Sequence, residues 1–110
     1  MIVVETVDDF CQNERISWID LLKIDAQGWE LEVLRGSKGL LARNAIHFVF
    51  AEVGFRNSDT DMQQFSALHE YMEINRFDFC GFYDTYRYGA AKQFVGFSNA
   101  LYINAAFGKA

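Results

Sequence analysis

Three carboxylates and one ammonium carry most of the chemistry this sequence can offer. Lys23, Asp25 and Glu30 fall in LLKIDAQGWELEVLRG (Leu21 to Gly36), and Glu52 falls near the end of IHFVFAEV (Ile46 to Val53). Carboxylates placed this way suit two tasks. One is taking a proton from a reacting hydroxyl; the other is holding a hard cation such as Mg²⁺ for phosphoryl transfer. Lys23 stands two residues before Asp25, on the same side of an extended chain. A buried ammonium there needs a carboxylate partner, and Asp25 or Glu52 would serve. Each residue also has a plain structural role open to it. Asp25 can form a turn or cap a helix, Glu30 can accept from free first-turn amides, and Lys23 can belong to a structural ion pair.

The elements that must position these groups follow from the apolar pattern. Ile2 to Val4 reads as a short strand, and Thr6 as the N-cap of a helix to about Glu14. Asp8 and Asp9 sit in the first turn of that helix, where its dipole favours acids. Ile19 to Ile24 shows little alternation, as in a parallel strand covered on both faces. Gly28 opens a helix to about Arg35, re-formed through Leu41. Ile46 to Val53 is the clearest central strand. Asp59 or Thr60 then caps a helix to about Asn75, with Met62, Phe65, Leu68, His69 and Met72 on its inner face. FDFCGFYDTYRYG and QFVGFSNALYINAAF, separated by GAAKQ, read as an antiparallel pair. Strand and helix alternate, which implies an α/β fold with a parallel sheet and right-handed crossovers. Ligands of such sheets bind outside the carboxyl ends of the strands, where Asp25 and Glu52 both fall.

Composition narrows the classes. A net charge of -5 with scattered basic residues argues against a nucleic-acid surface. No run is apolar enough for a membrane span, and the acidic start MIVVETVDDF is not a signal peptide. Cys11 and Cys80 have no metal or redox spacing and read as two buried thiols in a reducing, cytoplasmic setting. His47 and His69 read as packed histidines, and no spacing suggests a metal site. Tyr83 and Tyr86 are candidates to reach a ligand. Neither a phosphate loop nor a dinucleotide fingerprint occurs.

Taken together, ETVDDF, WIDLLKIDAQGWELEVLRGS and IHFVFAEV resemble, in order and spacing, the FkbM-like methyltransferases. FYDTYRYG and FSNALYIN are similar to the family's final strands. Two positions depart from the pattern: Gln27 stands where the family usually has Glu, and Asn99 where it often has Asp. The resemblance implies a Rossmann-like class I domain that moves a methyl group from S-adenosylmethionine to a hydroxyl of a sugar or other small metabolite. It casts Asp25 and Glu52 as cleft carboxylates, Glu30 as positioner and Lys23 as their charge partner. The family's glycine-rich cofactor loop has no counterpart here, so residues 1–110 are expected to be the C-terminal half of such a domain, the cofactor-binding half being absent. That half-domain is expected to be inactive alone and to bind cofactor poorly. Its strand at Ile19 to Ile24 would be an exposed apolar edge that self-associates. Two other readings use the same residues: a Mg²⁺-dependent phosphoryl-transfer fold, and a non-catalytic module that docks through its open edge.

Overall fold

The computed structural model describes residues 5–56, 58 and 60–107. The strand expected at Ile2 to Val4 and the cap expected at Asp59 fall outside them. The chain runs α1 (Val7–Asn13), β1 (Ile19–Ile24), α2 (Glu30–Arg35), α3 (Lys38–Ala42), β2 (Ile46–Gly54), α4 (Phe65–Ile74), β3 (Phe77–Tyr88) and β4 (Phe94–Asn104). The four strands form one mixed sheet in the order β1-β2-β4-β3. β1 and β2 are parallel, joined through α2 and α3, whereas β4 runs antiparallel to both its neighbours. The architecture is therefore α/β, with a single parallel pair rather than an extended parallel sheet.

Local chemistry sets the helix ends. The Thr6 hydroxyl accepts the Asp9 amide at 3.1 Å and starts α1. Asp8 does more than favour its own helix dipole. Its carboxylate reaches across to accept the Gly39 and Leu40 amides at 2.8 and 3.1 Å, capping α3, whose own N-cap Ser37 supplies no side-chain bond. Ser37 instead donates to the Val33 carbonyl at 2.9 Å. α4 begins later than expected, at Phe65. The residues before it are held to the end of β2, because the Gly54 amide donates to the Gln63 carbonyl at 2.8 Å and Gly54 bridges Gln64. That pairing keeps residues 63 and 64 out of the helix.

Among the described residues the core fills one side of the sheet. Ile24, Val49, Ala51, Val53, Ala100 and Tyr102 are buried beneath Leu34, Leu40, Leu41, Leu68 and Met72 from the helices. The alternate residues point the other way. Leu21, Lys23, Phe48, Phe50, Glu52, Phe97, Leu101 and Tyr83 lie in register across the four strands, and all are partly or fully exposed. Among the described residues no helix covers this second face, so the molecule is two layers thick, 49 × 47 × 20 Å. β1 is also the sheet's edge, and Leu21 on it is 52% exposed. The expectation of a strand covered on both faces is thus corrected. Its non-alternating sequence reflects an apolar open face rather than a second layer. Cys80 is likewise exposed in β3, not buried; both thiols are free. Among the described residues no helix is long and apolar enough to cross a membrane.

Candidate functional site at the carboxyl ends of the parallel strands

β1 and β2 end side by side: Ile24 pairs with Ala51, and Asp25 and Glu52 follow at the same rim. Between β1 and α2 the chain turns through Ala26, Gln27 and Gly28, with φ of 51° at Gln27 and 98° at Gly28. Glu30 holds that turn. It is 1% exposed, and its two carboxylate oxygens accept the Ala26 and Gly28 amides, both at 2.9 Å. These charge-assisted bonds use a first-turn acid to close the loop that precedes its own helix. Glu30 therefore positions the rim without projecting into it. Gly28 is required on two counts. Its φ lies in the region that favours glycine, and a Cβ there would sit 2.8 Å from the Asp61 carbonyl oxygen.

Gln63 completes the brace. Its side-chain oxygen accepts the Leu31 amide at 2.8 Å, an N-terminal amide of α2 left free by the helix itself. Sequence reasoning did not single it out. Its partner lies 32 residues away, and nothing local marks it.

Glu52 is half-buried on the open face, opposite Asn99 of β4. Burial raises its proton affinity above the ordinary carboxylate value of 4.5, and the charges of Asp25 and Glu30 raise it further. Asp25 is exposed and takes a 3.3 Å bond from the Gln27 amide group. Lys23 is placed otherwise than expected. It is exposed on the bare face of an edge strand and pairs with neither Asp25 nor Glu52; the ion pairs among the described residues are Arg35–Glu32 and His69–Glu73. In solvent an ammonium needs no partner, so the reason for one disappears. Tyr83 pairs with Asn99 across the hairpin, 48% exposed near Glu52.

The two histidines are packed side chains. His47 stacks on Phe48 with ring centroids 4.3 Å apart. His69 meets the Tyr102 hydroxyl at 2.8 Å and Glu73 at 2.5 Å. Tyr102 is fully buried, which pushes its phenol well up from its ordinary range. Cys11 is buried, and burial with the Asp8 charge raises its thiol, which disfavours a thiolate nucleophile. Among the described residues no three His, Cys, Asp or Glu side chains stand together so as to hold a metal ion.

With this geometry in hand, comparison with protein families gives one match: the model of the methyltransferase FkbM domain aligns with residues 2–82. Comparison with curated proteins and with solved structures gave no significant match. The family alignment covers the N-terminal majority of the chain and stops within β3. It corrects the expectation that the chain corresponds to the C-terminal half of such a domain. The aligned region holds the β1-turn-α2 segment, β2 and α4, so the rim lies wholly inside it.

Proposed function

This chain belongs to the methyltransferase FkbM domain family, and on that premise we propose that it takes part in methyl transfer to the hydroxyl of a small metabolite such as a sugar, on a Rossmann-like class I framework. The observation that carries the reading is Glu52: a half-buried carboxylate with raised proton affinity, at the carboxyl end of a strand, beside a second carboxylate. As an acceptor oxygen gains a methyl group its hydroxyl proton must leave, and Glu52 is the group suited to receive it. Asp25 sustains Glu52's proton affinity by its charge, and Glu30 fixes the turn that holds Asp25.

The family implies S-adenosylmethionine as the methyl donor. At the turn after β1 the described residues offer it little. The space beside Gly28 is filled by the chain's own Asp61 carbonyl, and both Glu30 oxygens are spent on internal amides. On this reading the chain supplies the acceptor side of the reaction and is inactive without residues that cradle the donor. Titration calorimetry of the 110-residue chain with S-adenosylmethionine checks this. The expected outcome is no saturable heat into the millimolar range; saturable binding at micromolar donor would place the donor site within this chain and overturn the division of labour.

A further inference from the structure

We propose that the overhanging end of the β3–β4 hairpin recognises the acceptor, and that it takes a hydroxylated ring bearing an oxyanion, a carboxylate or a phosphate. The inference rests on the methyl-transfer reading and adds to it a substrate class and a place. β2 ends at Gly54, which pairs with Phe97, but the hairpin continues through Tyr88 and Phe94. It therefore stands beyond the carboxyl end of β2. Two hollows flank it, of about 390 and 440 Å³, and both are bounded by Val95. Each falls in the size range of small-molecule sites.

The walls fit a flat ring. Tyr88 and Phe94 form an aromatic shelf, with centroids 5.2 Å apart and planes inclined at 33°. Phe55 packs edge-on against Phe82 at 5.2 Å on the other side of Val95. Such faces bury apolar ring surface and leave the ring's hydroxyls at its edge.

The charges fit an oxyanion. Arg56 and Arg87 each border one hollow. Arg56 lies over the Tyr88 ring, its guanidinium carbon 5.5 Å from the centroid, and donates to the Tyr88 hydroxyl. The Arg56 carbonyl is fixed by a 2.7 Å bond from Gln64. Arg87 uses Nε on the Lys92 carbonyl at 2.9 Å, which orients its two terminal nitrogens. Among the described residues neither guanidinium is in an ion pair. A planar cation oriented by its neighbours and lacking a carboxylate matches carboxylate and phosphate geometry. These are cations in a chain whose net charge is -5. The hairpin adjoins the rim through the sheet itself, because Asn99 of β4 pairs with Glu52. Ser98 alternates with Asn99, so the first hollow, which it borders, opens on the helix-covered face, where Ser98 bonds the Tyr83 carbonyl at 3.0 Å.

The test is a binding titration of the 110-residue chain without donor, followed by amide and arginine side-chain NMR shifts. The charged probes are 4-hydroxybenzoate, glucuronate and glucose 6-phosphate; the neutral counterparts are 4-hydroxybenzamide and glucose. We expect at least one charged probe to shift Tyr88, Phe94, Val95 and Arg87. Its neutral counterpart should bind about tenfold or more weakly, and Arg87→Gln or Arg56→Gln should remove that preference. Both arginines are exposed, and amide dispersion reports whether each variant stays folded. A benzoate, uronate or phosphate preference then separates the source of the oxyanion. Silence of the hairpin towards all three anions, equal binding of a neutral counterpart, or a preference that survives both substitutions would overturn the proposal. Separate fates are visible for the two readings. In a domain that contains this chain together with a donor site, anion capture at the hairpin without methyl transfer from S-adenosylmethionine to any bound probe would sink the transfer reading alone, whereas transfer to neutral acceptors with a silent hairpin would sink this one alone.

Discussion

Glu52 carries an electrostatic conflict. It sits half-buried among two other carboxylates, Asp25 and Glu30, and its proton affinity is raised by burial first and by their charges second. An acid whose folded affinity exceeds its unfolded one destabilises the fold whenever it is ionised. The penalty is fully present at neutral pH and fades as pH falls through the folded value and below the ordinary 4.5. Glu52→Gln should therefore raise the melting temperature at pH 7 by a few degrees, and the gain should vanish below pH 4.5. A thermal melt series across pH checks this; a variant less stable than the parent at pH 7 would show that the carboxylate is held by favourable contacts instead.

At the scale of elements, the strand-turn-helix from Ile19 to Arg35 is a braced unit. Glu30 closes the turn from below, Gln63 ties the start of α2 to the segment after β2, and the Asp61 carbonyl packs on Gly28. Glu30→Ala would strip two amides of their acceptor and should cost about 3–6 kcal/mol, since bonds to charged acceptors are worth roughly 1.5–3 kcal/mol each. Urea denaturation with an unchanged slope would report it; a loss under about 1 kcal/mol would mean that water replaces the carboxylate at both amides. Much of this unit was legible in the sequence. The apolar run, the glycine and a first-turn acid mark a strand, a turn and a helix start, and a self-satisfied Glu30 was one of its two readings. The braces from Gln63 and from Asp8 to α3 were not legible, because each joins residues more than thirty positions apart. Lys23 was misplaced for a related reason: its expected partner followed from burial, and burial depends on whether a second layer covers β1.

At the scale of the whole molecule, the described residues form a sheet with one dressed face and one bare one. The bare face spans four strands about 4.8 Å apart and a paired length of about six residues at about 3.3 Å each, or roughly 400 Å². Lys23, Glu52 and Asn99 interrupt that face, but Leu21, Phe48, Phe50, Phe97 and Leu101 leave it mainly apolar, and β1 adds an unpaired edge beside it. We expect the 110-residue chain to self-associate in sedimentation velocity, with mass rising over the micromolar range; a monomer at all concentrations with a cooperative melt would contradict this. No periodicity in the sequence could reveal the bare face, since Phe48, Phe50 and Leu101 are as apolar as the core residues they alternate with. The rim at the carboxyl ends of β1 and β2, in contrast, could be read in advance from two strand ends and their acids. Its claim to function is tested most directly by methyl transfer. In a domain that contains this chain and turns over, transfer of labelled methyl from S-adenosylmethionine to a hydroxyl acceptor should fall about 100-fold or more in Glu52→Gln, with acceptor KM little changed. Turnover equal to the parent's would remove Glu52 from the chemistry and contradict the account.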